Sequence, residues 1–290
     1  MNFNSRDNEP ANHMYFKRIV LIIIFIFVAC DRPTPKTISK HSIGIVSYER
    51  GESSLQKFAV FQDYLGEQLN SVIEIEPAYN EIKALEQISR QKWDLVFAPP
   101  GLAAVAISRY NYEPIMPLED RDRTRSVIVV RSDSPFEERQ DLAKQTIALG
   151  QKGSAAGYYL PIYNLYGLKF ARVFYAPTPQ NVLQMLDEGQ VSVGALSVAD
   201  YNRYRRNFDP NRFKVIYLDK HNVPSGVILI SDRLDSEQRE RIKYVLSQTP
   251  SFISSSAGYL PNEKIPDYTY LIKVIERVQN ILENSPMVLQ

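Results

Sequence analysis

Short apolar runs alternate with segments of helical period along this chain, and this alternation limits the possible folds more than any other feature. The runs have the length and composition of strands and fall at residues 42–47, 72–76, 94–98, 126–131, 146–149, 172–176, 191–196, 213–218 and 227–230. Amphipathic helices are predicted between them, at residues 53–69, 80–88, 102–108, 155–168, 179–188, 197–207, 235–248 and 267–283. Such alternation forms βαβ units, so we predict an α/β fold built on mainly parallel sheets.

Polar side chains mark the starts of several of these helices. Asn80, Thr178, Ser197 and Asp235 each stand at the boundary where a helix is predicted to begin. Their side-chain oxygens can accept a hydrogen bond from an otherwise unpaired N–H group of the first helical turn. Pro179 then occupies the first position of its helix, where a proline is favoured.

The beginning of the chain has the pattern of a secretory signal. Lys17 and Arg18 precede an apolar run at residues 19–29, which is shorter than the roughly 20 residues that span a bilayer. The run ends at Cys30, and Phe27-Val28-Ala29-Cys30 is similar to the bacterial lipobox, in which the cysteine is lipidated. We therefore expect a lipoprotein signal peptide at 1–30 and a polar tether at 31–40. A signal anchor with an incidental cysteine is the alternative.

Composition argues against several classes of function. The net charge of +1 lacks the basic excess typical of nucleic-acid-binding proteins, so no nucleic-acid partner is expected. The single cysteine excludes a disulfide within the chain. With only three histidines beside it, a Cys/His metal site is not expected, and neither is a cofactor. Neither a Gly-x-Ser-x-Gly elbow nor a Walker loop occurs, and His221 is the one histidine available for a triad. We expect a binding protein rather than an enzyme.

The sharpest candidate for a binding site is the small-residue loop at residues 153–157. Ser154, Ala155, Ala156 and Gly157 lie between a predicted strand and a predicted helix. The N–H groups at the start of a helix bind anions, and small residues let a ligand approach them. The alternative is an ordinary glycine/serine turn.

Four further residues follow or precede predicted strands and are weaker candidates. Pro100 and Gly101 end one strand and open a helix, although a tight turn explains them equally well. Arg125 belongs to an alternating arginine cluster and could pair with an oxyanion, although such runs are usually solvated. Tyr48 follows the first strand and could reach a ligand. Ligands of parallel sheets bind beyond the carboxyl ends of the strands, where Tyr48, Pro100 and Gly101 lie.

Several stretches occur in an order that points to a known family. They are the helix at 58–69, the run from Asp94 to Pro100, the strand at 126–131 followed by Asp133-Ser134-Pro135, Asp141-Leu142, the loop at 154–157 with Pro161, and the segment at 224–234. Together they resemble the phosphate/phosphite/phosphonate-binding family of periplasmic solute-binding proteins, which serve ABC transporters. The resemblance covers about residues 43–234 of the chain.

The resemblance implies a two-lobed type II periplasmic binding protein with hinge strands. The first lobe would comprise residues 41–130 and 225–290, and the second residues 131–224. In the family, ligand binding closes the lobes and the permease recognises the closed form. The chain departs from the family at Ala103, Arg125, Ala155-Ala156 and Ser192, which makes an aminoalkyl phosphonate a poorer candidate ligand than a simple oxyanion.

We therefore expect an extracytoplasmic lipoprotein of the periplasm or cell surface that captures a small phosphate-, phosphite- or phosphonate-like anion. Its expected partners are that anion, an ABC permease and the membrane that holds its lipid anchor, and we expect a monomer. Two alternatives stay open. The same pocket could serve a module that reports ligand to a membrane receptor without transport. A lipid-anchored hydrolase is the other, which the missing catalytic residues disfavour.

Overall fold

The structure is a computed structural model that describes residues 1–2, 39–46, 53–119 and 124–284. Its strands are β1 Ser39–Val46, β2 Ser71–Ala78, β3 Leu95–Ala98, β4 Glu113–Pro117, β5 Ser126–Arg131, β6 Thr146–Leu149, β7 Arg172–Tyr175, β8 Val193–Ser197, β9 Phe213–Leu218 and β10 Val227–Ile230. Its α-helices are α1 Ser53–Gln56, α2 Ala59–Leu69, α3 Glu81–Ser89, α4 Pro100–Arg109, α5 Leu160–Asn164, α6 Pro179–Asp187, α7 Val198–Tyr204, α8 Ser236–Ser247, α9 Ser251–Ala257 and α10 Thr269–Asn284. A π-helix at Ala155–Tyr159 leads into α5, and 3₁₀ turns occupy Arg139–Leu142 and Arg205–Asn207.

The strands form two five-stranded sheets of matching topology. The first has the order β2-β1-β3-β10-β4 and the second the order β7-β6-β8-β5-β9. In each sheet one strand, β10 or β5, is antiparallel to both neighbours, while the other strands share one direction. Each antiparallel strand follows a passage of the chain from one sheet to the other. The predicted α/β fold with two mainly parallel sheets is confirmed, and each sheet with its helices is called a lobe below.

Local sequence signals located most element boundaries. The strands predicted at 126–131, 146–149, 213–218 and 227–230 have these bounds in the structure. All four predicted caps accept a hydrogen bond from the backbone N–H three residues on, with distances of 2.8 Å for Asn80, 3.3 Å for Thr178, 2.9 Å for Ser197 and 2.8 Å for Asp235. These short-range hydrogen bonds are encoded locally, which is why the sequence reveals them.

Two elements were not predicted, and the reason is chemical. β4 contains Pro114 and Pro117, which lower its strand propensity, yet it lies at the edge of the first sheet. An edge position tolerates proline because one side of the strand needs no ladder hydrogen bonds. The short helix α9 is rich in serine, which also favours turns.

The structure corrects the prediction for two helices. The helix predicted at 155–168 begins as the π-helix and ends at Asn164, and Gly167 then takes a positive φ of 92°. The amphipathic helix predicted at 80–88 is present as α3, but its apolar residues do not all face inward: Ile82 is 52% exposed, whereas Glu81 and Ala84 are buried together with Ile88. Glu81 turns inward because it packs against Gly153 of the second lobe.

One hydrophobic core runs through both lobes. It includes Leu102 of α4 in the first lobe and Ile147 of β6 and Tyr159 of the π-helix in the second. The last helix, α10, packs on α4, on the π-helix and on α5, and adds its buried apolar face to this core. The lobes are therefore joined by packed side chains as well as by the chain segments that cross between them.

A buried carboxylate fixes the amino-terminal end of β3. Asp94 accepts a hydrogen bond from the Ser42 N–H at 3.0 Å, lies 3.5 Å from His41 Nδ1, and contacts Arg233 Nη2 at 3.3 Å. Burial acts to raise the pKa of Asp94, but the contacts with His41, Ser42 and Arg233 outweigh it and hold that pKa below its ordinary value. The ionised form is thus the one that the fold stabilises.

We expect Asp94→Asn to lower the free energy of unfolding by about 1–3 kcal/mol at neutral pH, because a buried charged hydrogen-bond acceptor is lost. A depressed pKa in the folded state gives stability that is present above the unfolded-state pKa of about 4 and is lost as the pH falls through the folded-state value. Urea unfolding at a series of pH values should show the difference between wild type and variant shrinking in acid. Asp133→Asn, at the exposed Arg131–Asp133 pair, is the control and should change stability little. A pH-independent loss in Asp94→Asn would contradict this account.

Candidate functional site

A large cleft opens between the two lobes at the carboxyl ends of their strands. Its volume is 1270 Å³, and Val46 at the end of β1, Pro99 after β3 and Val198 after β8 all line it. The ends of parallel strands point backbone groups and helix starts at one place, which makes this the usual position of a ligand in such folds. Residues of the crossing segments, Thr124 and Pro224 among them, form part of its lining.

Charged side chains dominate the polar lining of this cleft. The cations are Lys57 ahead of α2, Arg203 in α7, and Arg205 and Arg206 in the 3₁₀ turn that follows it; the carboxylates are Glu119 and Asp200. Apolar surface comes from partly exposed side chains such as Val46 and Leu118. The cleft therefore combines some apolar surface with an excess of positive charge.

A second, much smaller cavity adjoins the first. Its volume is 20 Å³, room for about one water molecule. Ser154 and Gly157 line it from the second lobe and Glu81 from the first, and Asp200 lines both cavities. The small cavity thus lies at the loop that the sequence nominated, next to the large cleft.

The loop itself is held by its own backbone. Ser154 caps the π-helix: its Oγ accepts a hydrogen bond from the Gly157 N–H at 3.1 Å, and its carbonyl accepts from the N–H groups of Tyr158 and Tyr159 at 3.2 and 3.1 Å. The Gly157 carbonyl accepts from the Gly150 N–H at 2.8 Å, which ties the loop to the end of β6. A helix start anchored in this way is a preorganised set of donors.

The two lobes touch backbone to backbone at this loop. A Cβ added to Gly101, in the first turn of α4, would overlap the carbonyl oxygen of Gly153 and lie 2.6 Å from the amide nitrogen of Ala155. Gly153 has a φ of 115°, and a Cβ there would lie 2.7 Å from Cβ of Glu81. Both positions require glycine, because a side chain at either would separate the lobes.

Two carboxylates flank the loop, and the sequence gave no sign of their arrangement. Glu81 is buried at the start of α3. Asp200 accepts a 2.7 Å hydrogen bond from the Ser197 hydroxyl, and burial raises the pKa of Asp200 although that bond opposes the shift. Their inward position depends on how the lobes meet, which local sequence does not encode.

The structure brings some of the nominated residues together and leaves others apart. Ser154 and Gly157 line the small cavity, Pro100 lines the large cleft, and Gly101 and Ala155 lie at the contact between the lobes. Ala156 is buried, and its carbonyl accepts a 2.7 Å hydrogen bond from the Ser126 hydroxyl of the same lobe. Arg125 is half-buried ahead of β5; its carbonyl accepts a 2.9 Å hydrogen bond from the Val198 N–H, and its side chain lines neither cavity. Tyr48 and Cys30 lie outside the described residues.

A family model matches residues 43–251, and its description is the periplasmic substrate-binding protein of a phosphonate ABC transporter. A search of curated proteins found no match to the chain. Among the residues that the structure describes, no helix has the length and apolar character needed to cross a membrane.

Solved structures of similar fold come from several bacteria. A Xanthomonas citri protein solved with bound ATP has a TM-score of 0.70 at 21% identity, over 83% of this chain and 98% of that one. A binding-protein component of a phosphonate ABC transporter from Pseudomonas aeruginosa has a TM-score of 0.64 at 15% identity, over 86% of this chain and 88% of that one. A Prochlorococcus marinus protein in complex with methylphosphonate has a TM-score of 0.60 at 17% identity, over 84% of this chain and 98% of that one. These likenesses show the type II periplasmic binding protein fold.

We expect Gly101→Ala to lower the free energy of unfolding by about 1–3 kcal/mol, because the added methyl group forces two packed backbones apart. Gly150→Ala is the matched control: it lies in the same region, but its Cβ would be 3.4 Å from its nearest neighbour, an ordinary contact. Urea unfolding of both variants measures the difference. Equal stability of the two variants would show that the lobes do not meet as described.

Proposed function

Because the chain belongs to the family of periplasmic substrate-binding proteins of phosphonate ABC transporters, we propose that it captures a small oxyanion of the phosphate, phosphite or phosphonate class between its lobes and delivers it to an ABC permease. Membership of this family means that the protein is extracytoplasmic and is a binding protein rather than an enzyme. The ligand class and its position in the cleft are the parts that we propose.

The observation that carries the proposal is the position of the Ser154 helix start. It lies after the carboxyl end of β6, at the contact between the lobes, and lines a small cavity that shares Asp200 with the large cleft. The first N–H groups of a helix have no partner within the helix, and together with the helix dipole they favour an anion. No other helix start in the described chain has a serine cap that directly follows a glycine and is followed by a second glycine three residues later.

Binding at this helix start requires the lobes to separate slightly. The adjoining cavity holds about one water molecule, whereas a tetrahedral oxyanion is larger. We infer that the anion enters when the contact between Gly101 and Gly153 opens, through rotation where the chain crosses between the lobes, near Glu119, near Thr124 and at residues 219–226. Hinge closure of two domains around a ligand is a common binding motion.

The fold neighbours support the ligand class. The Prochlorococcus marinus protein was solved with methylphosphonate and the Xanthomonas citri protein with ATP, so proteins of this fold accommodate phosphonyl and phosphoryl groups. Glu81 and Asp200 beside the loop would disfavour a highly charged small anion unless one carboxyl group is protonated. Burial, which raises the pKa of Asp200, acts in that direction.

We also propose that Cys30 carries a lipid that holds the protein at the membrane. The support is the sequence at the end of the apolar run, where the chain's one cysteine occupies the lipobox position. Residues 31–38 would then separate the anchor from the folded part, because residues 39 and 40 of the expected tether belong to β1.

Substitution of Ser154 tests the anion site. Aspartate and asparagine cap helices about as well as serine, so both variants should keep the fold, and they differ from each other chiefly in charge. We expect Ser154→Asn to weaken methylphosphonate binding by less than about tenfold and Ser154→Asp by about 100-fold or more, because a carboxylate there repels the ligand. Titration calorimetry with methylphosphonate and inorganic phosphate measures both. Equal affinities in the two variants would exclude an anion at this position.

Replacing Cys30 tests the anchor. We expect Cys30→Ser to abolish incorporation of labelled palmitate and to release the protein from the membrane fraction, because serine lacks the thiol that accepts the lipid. Metabolic labelling and cell fractionation are the measurements, with the wild-type chain as the reference. Label in the variant, or none in the wild type, would contradict the lipoprotein assignment.

A further inference from the structure

The positive side chains of the large cleft form a surface that the anion site at Ser154 does not use. We call this surface the basic wall; its members are Lys57, Arg203, Arg205 and Arg206. All four are exposed, and none of them forms an ion pair within 4 Å among the residues that the structure describes. Burial raises the pKa of Asp200, and Arg203 is close enough to act against that rise. The four cations nevertheless outnumber the two carboxylates of the lining, Glu119 and Asp200, whereas opposite charges normally alternate on a solvated face.

The geometry of the wall concentrates the charge. Arg203 lies in the last turn of α7 and Arg206, three residues on, in the 3₁₀ turn that follows, a spacing that places two side chains on one side of a helix. Lys57 faces the same cleft from the other lobe, so positive groups lie on both sides of the opening. Four cations against two carboxylates give the lining an excess of positive charge, and a cleft with such an excess attracts anions.

The cleft is also larger than a simple oxyanion requires. Its 1270 Å³ exceeds the roughly 300–1,000 Å³ of ordinary small-molecule pockets. Asp200 lines both cavities, so the large cleft lies next to the Ser154 helix start. Val46 and Leu118, which are partly exposed, offer apolar surface in the cleft for a carbon skeleton.

We propose that the ligand is an organic phosphate or phosphonate that carries a second anionic group, and that the basic wall binds this second group. Arginine suits the task because its planar guanidinium can donate two parallel hydrogen bonds to a carboxylate or phosphate. Lobe closure would bring Lys57 and the arginines of α7 onto the same group from opposite sides. This inference rests on the proposed function, since the first anionic group is placed at Ser154.

Matched pairs of ligands isolate the second group. Each pair consists of an alkylphosphonate and the alkylphosphonate of equal chain length with a terminal carboxylate, and the series uses spacers of two, four and six methylene groups. For at least one spacer we expect the wild-type protein to bind the carboxylated member at least about tenfold more tightly, as one charge-assisted hydrogen bond would give. Titration calorimetry at low and high salt measures the preference, which should shrink as salt screens the wall.

Variants of the wall assign the preference to it. We expect the double variant Arg203→Glu/Arg206→Glu to lose or reverse the preference for the carboxylated member of each pair. Arg203→Gln/Arg206→Gln, which removes charge without adding any, should lose it too and serves if the glutamate pair does not fold. Arg172→Glu, at an exposed arginine of β7 in the same lobe and outside both cavities, is the control and should keep the preference.

The outcomes separate this inference from the function on which it rests. If the wild type binds both members of every pair equally, the basic wall has no role in ligand binding and the inference is wrong, while the proposed function stands. The same holds if the preference survives in both double variants. If the wild type binds no phosphonate of the series and no inorganic phosphate, the proposed function itself is overturned, and the inference falls with it.

Discussion

The contact between Gly101 and the 153–155 loop is the constraint on which the arrangement of this molecule depends. Two backbone segments from different lobes meet with no side chain between them, and each segment opens a helix. Because a single Cβ would separate them, the distance between the lobes is set here. The small cavity, the inward position of Glu81 and the boundary of the large cleft all follow from that distance.

Charge is distributed unevenly around this contact. The carboxylates Glu81, which is buried, and Asp200, which is half-buried, line the small cavity beside it. The exposed cations Lys57, Arg203, Arg205 and Arg206 line the large cleft. The charge next to the contact is therefore negative, whereas the lining of the wider cleft has a positive excess.

The sequence predicted what depends on near neighbours and failed where distant segments decide. The caps at Asn80 and Thr178 and the strand at 126–131 are local patterns, and the structure contains them. Helix α3 shows the opposite case, since Ile82 is the more apolar residue and yet Glu81 is buried, because the second lobe covers that side. The basic wall was missed for the same reason: Lys57 and Arg206 are far apart in sequence, and only the fold places them in one cleft. Whether the nominated Ser154 loop binds an anion stays a prediction.

Helix α10 couples the unfolding of one lobe to that of the other. Its buried face, with Leu271, Val274 and Val278, packs against helices of both lobes, and from Ser39 onward the chain forms one compact unit. Neither lobe can lose its structure without exposing apolar surface on the other, so the melting of one lobe removes support from its partner. A domain of this construction behaves as one cooperative element in spite of its two sheets. Any solute held between the lobes would then protect every part of the protein from proteolysis at once, including helices far from the cleft.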